Sequence, residues 1–316
     1  MPEGGHGAQL EAAPVRHARL ATLMPVTDRI AVVTVTYSPG EHLAAFLAGI
    51  DAATTREVDV VIADNGSTDG APEAAAEDAA NVTLVYSGGN IGYGAAVNRA
   101  VAQVDPDIEF VLIANPDIRL TSGCVDELIA VAQRWPRAGA VGPLIREPDG
   151  SVYSSARELP DLVAGTGHAL LGRVWSTNPW TLRYRREAEE IVERSAGWLS
   201  GSCLLVRRVA FDSVNGFDSR YFMFMEDVDL GDRLARAGWL NVYGPSAEVV
   251  HHQGHSQKRY PELMLPAHHE GVLRYQSDRH PKRRHAPLRW AMSAALDVRS
   301  RLVTAAAVRD AKNPHS

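Results

Sequence analysis

From about residue 29 onward, short β-branched runs alternate with segments whose apolar positions recur at helical spacing. Residues 30–36 read as a buried strand, followed by a helix over about 41–52. A second strand over 58–63 ends in the polar turn Asp64-Asn65-Gly66-Ser67-Thr68-Asp69-Gly70. A helix over 72–80, a strand over 82–86, a Gly-rich loop and a helix over about 94–104 follow. A strand over 110–114, a helix over about 122–135 and a strand over 140–144 continue the series. This β-α-β-α rhythm, with strands apolar throughout, predicts an α/β fold whose mostly parallel, Rossmann-like sheet carries helices on both faces. Ligands of such sheets gather at the carboxyl ends of strands, where Asp64, the 87–94 loop and Asn115-Pro116-Asp117 all fall.

The rhythm breaks after Gly150. Residues 151–197 hold Trp175, Trp180, several arginines and two prolines, and read as a lid-like insertion. Order returns with a strand over 201–207, an acidic helix from Asp227, and short strands around Val242 and Val249.

Composition narrows the class. A chain of 316 residues with 45% hydrophobic and 22% charged residues can bury a sizeable core. A net charge of -6 argues against a general nucleic-acid binder. Cys124 and Cys203 are too few for a disulfide framework or a zinc site, which points to a reducing cytoplasm. No apolar run reaches membrane-spanning length, and residues 1–28 read as a disordered lead-in without a signal-peptide core. Charge gathers at the other end. Arg279, Lys282, Arg283, Arg284, Arg289, Arg299, Arg301 and Arg309 face a single acid, Asp297, across a segment with apolar residues near helical spacing. Such a segment fits an anionic membrane surface, or else a terminal helix packed on the body with a solvated basic face.

Candidate chemistry centres on Tyr221-Phe222-Met223-Phe224-Met225-Glu226-Asp227-Val228-Asp229, where an apolar approach ends in three carboxylates. Acids in a first turn suit the helix dipole. A carboxylate facing a cleft can instead take a proton from a bound hydroxyl. The Asp64 turn either caps a helix or offers a carboxylate to a pyrimidine N3–H or a ribose hydroxyl. Ser87-Gly88-Gly89-Asn90-Ile91-Gly92-Tyr93-Gly94, with Asn98 beyond, lacks the spacing and position of a dinucleotide fingerprint, yet its glycines let backbone approach a phosphate or sugar. Asp117 is either part of an Asn-Pro turn or a hard oxygen ligand for Mg²⁺ or Mn²⁺. His251, His252 and His255 lie within five residues, and neutral imidazole ligates Mn²⁺, although each alone is also an ordinary hydrogen bonder. In Trp198-Leu199-Ser200-Gly201-Ser202-Cys203, the Trp is either core or the floor of a sugar site.

Taken in order, these motifs resemble the family-2 inverting glycosyltransferases of the GT-A fold across about residues 30–256. The match includes Val33-Thr34-Val35-Thr36-Tyr37, the Asp64 turn, Asn90 and Gly92, Asn115-Pro116-Asp117, Trp198 to Ser202, Glu226-Asp227 with Asp229, and His251. Within the family, 134–145, Asp149-Gly150-Ser151-Val152-Tyr153 and 197–208 look like the rhamnosyltransferases of the actinobacterial cell-wall linker unit.

The resemblance implies transfer of L-rhamnose from dTDP-rhamnose to N-acetylglucosaminyl-diphospho-polyprenol, in arabinogalactan assembly at the inner membrane face. It further implies a donor site of Tyr37, Asp64, Asn65, Ser67, Asn90, Gly92, Asn115 and Asp117, with Tyr37 and Asp64 on the thymine and its sugar. Trp198, Ser200 and Gly201 would meet the acceptor, and Asp227 would be the base within the set Glu226, Asp227 and Asp229. Asp117 and His251 would hold a divalent cation, Mn²⁺ or Mg²⁺. Asn115 stands where the family's first metal aspartate belongs, which leaves fewer hard ligands. The expected organisation is a GT-A domain over 29–256, with donor half about 29–150 and acceptor half about 195–256. A helical, basic, membrane-proximal extension follows over 257–316. Competing readings are a galactofuranosyl- or hexosyltransferase using another nucleotide sugar, and an inactive nucleotide-sugar-binding module. The intact acids and His251 oppose the latter.

Overall fold

The computed structural model describes residues 28–160, 191–252, 261–287, 289–290 and 292–294. The strands are β1 (Arg29–Thr36), β2 (Glu57–Asp64), β3 (Val82–Tyr86), β4 (Phe110–Ala114), β5 (Ile118–Leu120), β6 (Ala138–Arg146), β7 (Val152–Tyr153), β8 (Ala156–Arg157), β9 (Arg194–Ala196), β10 (Trp198–Leu199), β11 (Cys203–Arg207) and β12 (Leu240–His251). The main sheet runs β3-β2-β1-β4-β11-β6-β12-β5, with β7 on β6 and β9 on β12. Strands β3, β2, β1 and β4 are mutually parallel, and so are β6 and β12.

Period-two burial explains the layering. On β1, Ile30 and Val32 join one core with Leu43, Phe46 and Leu128, while Ala31 and Val33 join the other with Ala96, Val97 and Phe217. The sheet is thus covered on both faces, as the apolar strands require.

The elements depart from expectation at several places, the short strands β7–β10 among them. The first helix ends at Ala48 and a short helix Ile50–Ala53 follows, because Gly49 interrupts the run. β5 and the helix Arg208–Ser213 were not expected, being only three and six residues long. β11 runs antiparallel to both β4 and β6, inserting one reversed strand into the parallel set. The two short strands expected near Val242 and Val249 are one strand, β12, with an irregularity between Gly244 and Glu248. Pro245 lies there and cannot donate to a ladder, so the sequence reads as two pieces.

The lid-like reading of 151–197 falls largely on 161–190, outside the described residues; at its described edges, β8 pairs with β10. The N-terminal lead-in lies outside as well, as do His255 and most of the basic C-terminal segment. The helix Pro261–Arg279 packs Tyr275 against Tyr221 and Val228, and Arg279 bridges to Asp232 at 3.2 Å. The C-terminal extension therefore docks on the acidic helix Glu226–Arg236.

Candidate active site

The turn after β2 is fastened through its own carboxylate. Asp64, 3% exposed, accepts from the Thr36 hydroxyl at 2.9 Å and from the Gly66 and Ser67 amides at 3.1 Å. The Ser67 hydroxyl accepts from the Ser38 amide at 2.8 Å, and Asp69 accepts from the Gly40 amide at 2.7 Å. The loops after β1 and β2 are thereby stapled side by side, with Tyr37 at the end of β1 left 44% exposed. Asp64 acts as the turn's clasp, and the Tyr37 ring stands beside it partly exposed.

The glycine loop is built in the same manner. Asn65 donates to the Asn90 side chain at 3.4 Å and to the Gly92 carbonyl at 3.2 Å, while the Asn90 oxygen accepts from the Gly92 amide at 3.2 Å. Gly92 has φ 90°, and a Cβ there would lie 2.4 Å from the Phe222 carbonyl oxygen. Only glycine tolerates both conditions. Asn98 is a structural clamp, exchanging two hydrogen bonds with the Phe217 backbone at 2.7 and 2.9 Å.

Asp117 and His251 meet across the β5–β12 pairing, with His251 Nε2 3.1 Å from Asp117 Oδ1. The Asn115 amide donates to the Ser202 carbonyl at 2.8 Å, tying this corner to the segment before β11. His252 follows with its amide on the Asp117 carbonyl at 3.0 Å. Among the described residues no third His, Cys, Asp or Glu completes a cluster with the pair. The donor set nevertheless fits a hard cation shared with a diphosphate, because Mg²⁺-like ions keep several ligand positions for phosphate and water. His251 Nδ1 is buried without a hydrogen-bond partner, so no hydrogen bond there fixes the ring's tautomer.

The acidic motif begins one residue earlier than expected, at Glu226. It is approached through Phe224 (φ 66°) and Met225 (φ 67°), two successive left-handed residues that are not glycine. Strain of this kind persists only where the surroundings enforce it. Here the Cα of Gly271, on the docked helix, lies against the pair: a Cβ at that position would be 3.0 Å from the Phe224 carbonyl.

The three carboxylates have different fates. Asp227 accepts from the Gly201 amide at 3.1 Å and the Val228 amide at 2.8 Å. Glu226 is 7% exposed, and its Oε2 has no partner. Burial raises the pKa of both, and the neighbouring Asp227 charge raises that of Glu226 further. Asp229 is bound to Arg233 at 2.6 Å, and Arg233 also holds the Val214 and Gly216 carbonyls at 2.7 Å. Asp229 therefore ties the helix to the loop after Ser213, apart from Gly201.

Around Asp227, Ser200 and Ser202 pair at 2.9 Å, and Tyr93 donates to the Gly201 carbonyl at 2.7 Å. Trp198 donates to the Glu158 carbonyl at 3.1 Å, and its ring lies 5.6 Å from the Arg157 guanidinium. Arg157 also favours the Asp227 anion. Neither Tyr93 nor Arg157 was singled out from sequence. Tyr93 sits inside the glycine motif as a mere spacer, and Arg157 lies in a stretch with no periodic signal.

The Asp64 turn, the glycine loop on a helix start, the Asp117–His251 pair and the buried acidic helix thus share one mixed sheet. Residues 31–214 match glycosyl transferase family 2, and the chain belongs to that family. It is 55% identical over 293 residues to the N-acetylglucosaminyl-diphospho-decaprenol L-rhamnosyltransferase of Mycobacterium tuberculosis, covering 90% of this chain and 95% of the relative. It is 31% identical to rhamnosyltransferase WbbL of Escherichia coli, over 60% of this chain and 71% of that one. In fold it is similar to the mannosyltransferase PcManGT of Pyrobaculum calidifontis, solved with GDP-Man and Mn²⁺. The TM-score is 0.55 at 18% identity, covering 91% of this chain and 81% of that structure.

Proposed function

We propose that this enzyme transfers L-rhamnose from dTDP-rhamnose, with inversion, to N-acetylglucosaminyl-diphospho-polyprenol in assembly of the arabinogalactan–peptidoglycan linker. The 55% identity that spans 95% of the mycobacterial relative carries the reading. The donor would lie along Tyr37, the Asp64 turn and the Asn90–Gly92 loop. The acceptor would enter past Trp198 and Ser200. The acceptor hydroxyl attacks the anomeric carbon from the face opposite the nucleotide, and the bond to the diphosphate breaks with its electron pair leaving on dTDP. Asp227 takes the hydroxyl proton. The two amides on Asp227 favour its anion, whereas buried Glu226 is held toward the neutral acid, so the paired environments separate the roles.

Asp117 and His251 would hold a divalent cation, Mn²⁺ or Mg²⁺, that offsets charge on the departing diphosphate. The GT-A domain would occupy 29–256, with the basic extension beyond it resting on the cytoplasmic membrane face. No helix among the described residues is long and apolar enough to cross a membrane. Trp290, 77% exposed beside Arg283, Arg284 and Arg289, supports that placement, since amphipathic Trp favours the lipid interface. Binding to anionic vesicles should weaken as salt rises, and a chain ending at His280 should bind them less; equal binding by the shortened chain excludes this placement.

The deciding experiment incubates purified enzyme with synthetic polyprenyl-diphosphate-N-acetylglucosamine and either dTDP-rhamnose or UDP-galactofuranose. A disaccharide-lipid mass from dTDP-rhamnose alone is expected. Product from UDP-galactofuranose instead would move the enzyme to the competing class, and product from neither would reject the assignment.

A further inference from the structure

Donor loop and base are joined through one side chain. Tyr93 is the first residue of the helix Tyr93–Val101, directly after Gly92. Its amide donates to the Phe222 carbonyl at 2.9 Å, which seats the glycine loop on the approach to Glu226 and Asp227. Its hydroxyl donates to the Gly201 carbonyl at 2.7 Å, and the amide of that same Gly201 holds Asp227 Oδ2 at 3.1 Å. The ring is fixed edge-on against Phe217 at 6.2 Å, so the hydroxyl has little freedom. A Cβ on Gly201 would stand 3.4 Å from the Asp227 Cβ and 3.7 Å from Tyr93 Cε1, which leaves the three residues packed face to face.

We propose that Tyr93 is a positioning residue for the base, holding the Gly201 backbone so that its amide fixes Asp227 against the acceptor hydroxyl. This rests on Asp227 being the base. The phenol remains a neutral donor throughout, since burial and the surrounding Glu226, Asp227 and Asp117 all disfavour its ionised form. Because the Tyr93 hydroxyl is engaged by the Gly201 carbonyl, its loss loosens geometry while leaving the donor loop's own hydrogen bonds through Asn65 and Asn90 in place.

The test is a double-mutant cycle on the full chain with dTDP-rhamnose and a lipid-linked N-acetylglucosamine acceptor. Tyr93→Phe keeps the ring and removes one hydrogen bond. It should lower kcat about tenfold with donor KM within twofold, since small misplacements of reacting groups are costly. It should also shift the acid limb of the kcat profile, because the Gly201 amide would stabilise the Asp227 anion less. In an Asp227→Asn background the same change should cost less than twofold, as expected for residues acting through one another. Rates are normalised to sites titrated with dTDP, so partial unfolding of a variant does not enter. Wild-type kcat and an unmoved acid limb in Tyr93→Phe would overturn the proposal, as would full additivity with Asp227→Asn. Wild-type activity in Asp227→Asn alone would instead reject the base assignment.

Discussion

The two halves of the site are held in opposite ways. In the donor half the two loops are fastened through their own side chains, Asp64, Ser67, Asp69, Asn65 and Asn90 each holding a backbone amide or carbonyl, with only the neutral Asn65 Oδ1 and Ser87 Oγ buried unpartnered among their described side-chain atoms. In the base half, by contrast, Glu226 is buried with an unpartnered oxygen, Asp227 lies beside it, and both follow two left-handed residues. Turns fastened to one another in this way make a rigid cradle, suited to a ligand bound in one pose. Buried, crowded acids make a site whose protonation is far from its resting value in water. Binding and chemistry thus draw on different physical resources within one domain, and mutations in the two halves should fail differently.

The largest difference is expected at the base. Asp227→Asn should reduce kcat by about 10²–10⁴-fold, the worth of a general base, while dTDP-rhamnose affinity stays within a few-fold. A variant retaining more than about a tenth of wild-type kcat contradicts the assignment. Because burial raises both acidic pKa values, the acid limb of the wild-type kcat profile should lie above the ordinary carboxylate range, with activity lost as pH falls through it. A limb near pH 4, roughly that of a free carboxylate, would show that the active carboxylate is not in this environment.

A loss that added metal reverses is expected where the halves meet. Excess EDTA should stop transfer and added Mn²⁺ or Mg²⁺ restore it, and His251→Ala should raise the metal concentration needed by at least roughly 10-fold, since losing a residue that merely orients a ligand already costs about that much. Full turnover in EDTA would sink the cation reading. The position of Asn115 in place of an acid makes His251 the more telling of the two ligands to remove.

The smallest effect is one of stability, with reversed sign. The folded state raises the Glu226 pKa above its unfolded value, so between the two the native chain binds more protons and loses stability as pH rises. Glu226→Gln removes that loss. It should raise Tm by roughly 2–4 °C for each kcal/mol recovered, with a gain small near pH 5 and larger near pH 8. A comparable removal in the donor half, Asp64→Asn, should lower Tm, because its carboxylate answers three donors. Equal signs for the two substitutions would erase the contrast between the halves.

The donor half was also the more legible in sequence. β3 and β4 fall on the expected residues because each is an apolar run closed by turn-forming chemistry. The helix Cys124–Arg134 lies inside its expected bounds for the same reason. β5 escaped because three residues carry no periodicity, and β12 was split by Pro245. The pairing of Asp117 with His251 was reached through family resemblance, since no local pattern announces a contact between residues 134 apart. The bond from Tyr93 to Gly201 has no sequence signature at all, because only the tertiary approach of two loops creates it.

That separation of 134 residues bears on how the molecule is born. β5 hydrogen-bonds only to β12 within the described sheet, so this three-residue strand has no strand partner until Val249, Val250 and His251 have been made. At ribosomal speeds of about 5–20 residues per second, roughly 7–27 seconds pass between the making of Asp117 and that of His251, 134 residues later. The Asp64 turn, built from residues 36–69, is early and the acid–imidazole corner late. Synthesis itself therefore sets an order in which the turn after β2 is fastened before the corner proposed to hold the cation exists.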